Sequence, residues 1–152
     1  MADRTESSIV IAAAPGAILD VIADFDRYPD WAGEVKKVLM LSEDGDGWAD
    51  QVEFTLSAGA IKDTYVLEYD WDVAEGGTGV VSWHLVSGVV LKAMNGSYTL
   101  EDTTLEDGSS GTAVTYRLSV DVKIPMLGIL KRKAEKVIIE TALTELKKRV
   151  EV

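Results

Sequence analysis

Two periodicities divide the chain. Ile18, Leu19, Val21, Ile22 and Phe25 recur at helical spacing, and the run opens at Pro15, whose fixed φ and missing N–H suit a first helical turn. Ahead of it, residues 7–14 (SSIVIAAA) hold a short β-branched run that predicts a strand, and Pro29 behind it forces a second, very short helix or turn. From Glu34 onward the period falls to two. In residues 64–73, Tyr65, Leu67, Tyr69, Trp71 and Val73 alternate with Thr64, Val66, Glu68, Asp70 and Asp72, and residues 114–124 repeat the pattern from Val114 to Ile124. Similar runs at 35–42, 48–57, 79–87 and 91–103, separated by turns rich in Gly, Asp and Ser, bring the strands after the helices to six, in a meander. Pro125 ends the last strand. Residues 126–150 predict one long helix with Ile129, Leu130, Ala134, Val137, Ile138, Ala142, Leu146 and Val150 on a broad apolar stripe.

The order β-α-α-β6-α dictates the packing. A sheet with one apolar face must cover it, and the last helix is the only large element left to do so. The expected class is α+β, a curved antiparallel sheet wrapped around the C-terminal helix, with Val137, Ile138 and Leu146 buried against it. No repeat, linker or shift of composition marks a second unit, so residues 1–152 are expected to form one domain.

Composition narrows the partners. With 26 acidic against 15 basic side chains the net charge is -11, and a phosphate backbone would be repelled by most of the surface. Nucleic acid is therefore not an expected partner. The chain has 0 cysteines, compatible with a reducing compartment, and its N-terminus shows none of the apolar core of a signal peptide. The uncharged stretch 79–91 is 13 residues, short of the roughly 20 that span a bilayer. A cytoplasmic protein is expected, as a monomer with a dimer left open.

No metal or other cofactor is expected. His84 is the single histidine. Asp44, Asp46 and Asp50 superficially form a calcium loop, but Trp48 and Thr55 stand where an EF-hand needs an oxygen ligand and its closing glutamate. Gly76, Gly77 and Gly79 lack the Gly-Lys and helix of a phosphate loop.

The alternation places Phe54, Tyr65, Tyr69, Trp71, Tyr98 and Tyr116 inward, aromatic bodies with polar tips that suit a planar ligand or serve as plain core. At 80–86 a one-residue slip exchanges the faces; Trp83 inward and His84 outward is the preferred register. Leu130 joins this cavity set from the helix. Because a meander alternates its connections between two ends, the turns sort themselves. Residues 42–47, 74–79 and 105–111 are polar and acidic, whereas 57–61, 87–91 and 124–130 are apolar where loops are normally hydrophilic. The second set forms either a cavity mouth (Ala58, Gly88, Val89, Met126 and Leu127, flanked by inward Asp63 and Lys92) or a seal over the sheet's end. Lys131, Arg132 and Lys133 follow directly, either a solvated helix face or a place for transient contact with an anionic membrane.

Phe25-Asp26-Arg27-Tyr28-Pro29-Asp30-Trp31, then Gly96-Ser97-Tyr98-Thr99-Leu100, then the long terminal helix, together resemble the START-like (SRPBCC) superfamily, in its bacterial polyketide cyclase/dehydrase, lipid-transport and coenzyme Q-binding branch. The resemblance implies a helix-grip fold with a deep apolar cavity used by relatives for lipids, quinones, hormones and polyketides. In that frame Tyr28, Pro29 and Trp31 are expected to plug the sheet's end as core. The leading expectation is a non-catalytic carrier or sensor of a small hydrophobic molecule. The alternatives are a polyketide aromatase/cyclase in which Tyr65, Tyr98, Asp63 or Lys92 shuttle protons, and a protein-interaction domain.

Overall fold

The computed structural model describes residues 5–58 and 61–151. It contains β1 (Thr5–Ile11), α1 (Pro15–Ala23), a 3-10 turn (Phe25–Arg27), α2 (Tyr28–Trp31), β2 (Val35–Met40), β3 (Gln51–Ala58), β4 (Ile61–Val73), β5 (Gly79–Gly88), β6 (Leu91–Thr104), β7 (Ser110–Val122) and α3 (Gly128–Val150). β1 stops earlier than the expected 7–14, because Ala13 N–H turns back to the Ile11 carbonyl at 2.9 Å and the alanines that follow carry no β-branched side chain to hold an extended chain.

Strands β2 to β7 form the meander in chain order, and β1 pairs antiparallel with β7. The result is a seven-stranded curved sheet ordered β1-β7-β6-β5-β4-β3-β2. Alternation decides which side chains face α3. On β7 every second residue from Thr112 to Val122 is buried, and β3 alternates in the same way.

α3 covers this face along a different line from the expected stripe. Ala134, Glu135, Ile138, Ile139, Ala142, Leu143 and Leu146 are buried, whereas Ile129 is 66% and Leu130 42% exposed and Val137 is only half-buried. The physical cause is the helix's start. Its first turn projects past the end of the sheet, so the contact line begins at Ala134 and follows i, i+3, i+4 spacing from Glu135 rather than from Ile129.

Side-chain ties strap α3 to β1 and β7. The buried Glu135 carboxylate accepts the Thr5 hydroxyl at 2.6 Å and the Val120 backbone N–H at 2.7 Å. Val120 lies two residues beyond Leu118, the partner of Thr5, and gives its backbone N–H to this carboxylate. At the other end Lys147 Nζ donates to the Val10 carbonyl at 3.0 Å, and Ala12 N–H donates to Glu151 Oε2 at 2.7 Å. Among the described residues no helix is long and apolar enough to cross a membrane.

Glu135→Ala leaves the Val120 N–H buried without an acceptor and is expected to cost about 2–3 kcal/mol, whereas Glu135→Gln keeps an acceptor oxygen and costs less. Urea denaturation followed by circular dichroism measures both; equal losses for the two variants would contradict the role given to the carboxylate.

Candidate functional site

The helical segment after β1 delivers three aromatic side chains to one wall of the space between sheet and α3. Pro29 sits in the first turn of α2, where its missing N–H is harmless, and turns Tyr28 and Trp31 inward. Tyr28 donates its hydroxyl to the Ile22 carbonyl, which ties α2 back to α1. Phe25 packs 4.9 Å from both Tyr28 and Tyr69, and Trp31 lies 5.0 Å from Tyr28. All three residues are buried, and Tyr28 and Trp31 also line a cavity.

The cavity measures about 60 Å³ and lies between the inner face of the sheet and Ile138 and Ala142 of α3. Its sheet side is aromatic: Phe54, Tyr65, Tyr69, Trp83, Tyr98 and Tyr116. Tyr98 and Tyr116 stand 4.6 Å apart, and each is 5.5 Å from Trp83. Trp83 takes this position because its cross-strand partner is Gly96, where any Cβ would lie 2.5 Å from the indole. Half-buried Glu34, Val35 and Thr141 form the rim.

The polar groups on the sheet side of the cavity are phenols, with Glu34 and Thr141 at the rim. Among the described residues the Trp31 indole N–H is the one side-chain polar atom fully sealed away without a partner. Among the described residues the hydroxyls of Tyr65, Tyr98 and Tyr116 have no hydrogen-bond partner either, and since they are not sealed they open onto the cavity. Burial raises the pKa of Tyr28, Tyr65, Tyr69, Tyr98 and Tyr116 above the ordinary phenol value; for all but Tyr116, neighbouring anionic or phenolic groups add to it. These side chains are therefore neutral hydrogen-bond donors at physiological pH.

Several side chains singled out in the sequence sit elsewhere. Trp71 stacks on Trp48 at 4.7 Å and donates its indole N–H to the Ala49 carbonyl at 2.7 Å, because the loop closed by the Glu43–Ala49 bridge folds over the end of β4. Leu130 points to solvent from the projecting turn of α3. None of the residues expected at a mouth lines the cavity. Ala58 is buried, Gly88 and Met126 are half-buried, Val89 and Leu127 are exposed, and Gly59 and Ala60 of the same loop set lie outside the described residues. A bulge between Leu91 and Ala93 reverses the local alternation and turns Lys92 to solvent.

Asp63 is buried at 8% exposure but turned to its own loop: its carboxylate accepts N–H groups from Val89 at 3.1 Å, Val90 at 3.1 Å and Leu91 at 2.9 Å. It clamps the β5–β6 turn. A Cβ at Gly88 would come within 2.9 Å of that carboxylate. His84 faces outward, its Nε2 3.3 Å from the Glu68 carboxylate. The rim residues Glu34 and Thr141 carried no signal in the sequence, since finding them requires knowing which residues the fold brings to the cavity's edge.

A curved antiparallel sheet closed around its C-terminal helix, with an aromatic cavity between the two, defines a helix-grip domain. The sequence signature of the family described as polyketide cyclase / dehydrase and lipid transport matches residues 2–151, and the chain belongs to that family. Among solved structures, a START superfamily protein from Mycobacterium smegmatis is similar with TM-score 0.82 and 22% identity, covering 97% of each chain. The Zhui aromatase/cyclase from a Streptomyces species superposes with TM-score 0.75 at 16% identity over 99% of this chain and 94% of its own. A protein from Thermus thermophilus gives TM-score 0.76 at 20% identity, covering 97% of each chain. At such identities the likeness is one of fold. No curated protein sequence matches.

Asp63→Ala is expected to cost about 2–3 kcal/mol by freeing three loop N–H groups while leaving the cavity lining intact, and Gly88→Val is expected to lose stability by displacing the same carboxylate. Their two losses, read by thermal melts, should fall well short of additive in the double variant. All five tyrosines have raised pKa values in the folded state and about 10 when unfolded. Below pH about 10 both states hold the phenolic protons; above it only the unfolded state sheds them, so stability falls as pH rises past about 10. Absorbance near 295 nm should show tyrosinate only together with loss of tertiary structure; free titration of the phenols in folded protein would contradict their burial.

Proposed function

We propose that this chain binds a small, flat, apolar molecule that carries hydrogen-bond acceptor oxygens, and that it acts as a carrier or sensor of that molecule. The observation that supports this is the pairing of an aromatic wall with the unpartnered, neutral hydroxyls of Tyr65, Tyr98 and Tyr116. Aromatic faces offer stacking area, and a neutral phenol donates to a carbonyl or ether oxygen. A purely hydrocarbon ligand would leave these donors unsatisfied, which costs free energy in a dry site.

The cavity volume of about 60 Å³ is far below the roughly 300–1,000 Å³ of small-molecule sites, so binding enlarges it. Met94 and Ile138 are the side chains suited to yield, because Met94 is flexible and both stand on the lining. The ties at Glu135, Lys147 and Glu151 hold α3 in place while they do.

Aromatic cyclisation is the second reading, favoured by the family's description and by the likeness to an aromatase/cyclase fold. It fits the placements less well. Asp63 is committed to backbone N–H groups and Lys92 points to solvent, which leaves Tyr65 and Tyr98 as the proton donors of the expected set that reach the cavity.

The test is tryptophan fluorescence titrated with 1,4-naphthoquinone and, in parallel, with naphthalene. The quinone is expected to bind more tightly, Tyr98→Phe to weaken it by roughly 3–10-fold, and Ala142→Leu to block both ligands without lowering the melting temperature. Equal affinity for quinone and hydrocarbon would sink the acceptor requirement; quinone binding undisturbed by Ala142→Leu would place the site elsewhere.

A further inference from the structure

Charge and apolar surface are distributed along the sheet in a way the cavity does not use. At one end the turns carry Glu43, Asp44, Asp46, Glu75, Glu106 and Asp107. At the other end lie the β5–β6 turn, the β7–α3 connection and the projecting first turn of α3. Of the nine large apolar residues exposed among the described residues, five stand there: Val89 (76%), Leu127 (70%), Ile129 (66%), Ile124 (58%) and Leu130 (42%).

The tip is held firmly. Asp63 fixes the turn that carries Val89, and Lys123 joins that turn to the β7–α3 connection, its backbone N–H donating to Val90 O at 2.8 Å and its Nζ to Gly88 O at 2.7 Å. The apolar residues are therefore presented on an ordered surface.

Cations ring this tip. Lys62, Lys92, Lys123, Lys131, Arg132 and Lys133 are six of the chain's 15 basic residues, in a protein whose net charge is -11. Among the described residues at this end, Asp63 and Glu135 are buried in hydrogen bonds to the protein, Asp121 pairs with Lys131 at 3.2 Å, and Glu34 stands at the cavity rim. Helix stability does not account for the arrangement. The first turn of α3 has no acidic residue, and cations near a helix N-terminus oppose the helix dipole, so this end adds positive potential to positive charge.

An exposed apolar point with a collar of cations fits one kind of surface, an interface whose interior is hydrocarbon and whose boundary is anionic. We propose that this end of the molecule docks on anionic lipid bilayers, with Val89, Leu127 and Ile129 entering the interface and the lysines and Arg132 resting among lipid phosphates. The acidic turns at the opposite end then point away from the membrane, which orients the protein. The inference stands apart from the identity of any cavity ligand.

The test is co-sedimentation of the full chain with vesicles of equal parts phosphatidylglycerol and phosphatidylcholine, against vesicles of phosphatidylcholine alone. Binding to the anionic vesicles is expected to exceed binding to the neutral ones and to fall on the order of tenfold when salt is raised from about 50 to about 500 mM. Leu127→Ser with Ile129→Ser, and separately Arg132→Glu with Lys133→Glu, should each lower it on the order of tenfold with melting temperature unchanged, while Leu39→Ser, an exposed apolar position on β2, leaves it intact. Absence of binding to anionic vesicles, or binding that ignores both double variants, overturns the proposal. Concentration-dependent self-association in sedimentation velocity, abolished by Leu127→Ser with Ile129→Ser, would reassign the tip to a second copy of the chain and overturn it as well.

Discussion

Removing one face of the sheet from water is the constraint on which the remainder of this structure depends. Seven strands present a continuous row of Val, Leu, Phe, Tyr and Trp side chains to one side, and α3 is the element long enough to cover it. Covering it is not only a matter of apolar area. Past the Thr5–Leu118 pair, Glu135 reaches from the helix to accept the Val120 N–H. A carboxylate that would be costly if buried alone is stabilised here by two hydrogen bonds, and it sets how α3 sits along the sheet.

The same economy of polar groups shapes the site. Two buried carboxylates, Asp63 and Glu135, are both consumed by the protein's own donors, Asp63 by three loop N–H groups and Glu135 by the Val120 N–H and the Thr5 hydroxyl. What faces the cavity from the sheet is mainly aromatic surface and phenol, with Glu34 and Thr141 at the rim. Gly96 makes room for Trp83, and Pro29 turns Tyr28 and Trp31 toward the same space, so the lining is assembled from six strands and two helices that share no local sequence relation.

Charge is sorted by the meander. Because each hairpin reverses direction, alternate connections gather at opposite ends of the sheet, and the acidic turns collect at one end while the apolar loops and their lysines collect at the other. The antiparallel topology thus converts a linear alternation of turn types into an end-to-end polarity of the folded molecule.

Much of this was legible in the chain itself. Period-two runs marked the strands after α2, Pro15 and Pro125 marked where a helix begins and a strand run ends, and the segment around Tyr28 and Trp31 carried the family resemblance; these signals are local, since backbone geometry ties side-chain direction to position along one element. What the tertiary structure decided lay between elements. Lys92 left the inner face because one bulged residue shifts the alternation, Trp71 was claimed by Trp48 from a distant loop, and Leu130 stayed in water because the helix starts beyond the sheet's edge. Glu135 carried no signal in the sequence, and only the packing of α3 against β1 and β7 made it a buried acceptor. Register, bulges and the axial position of a helix are set by packing against partners far away in sequence, and no periodicity within a single segment records them.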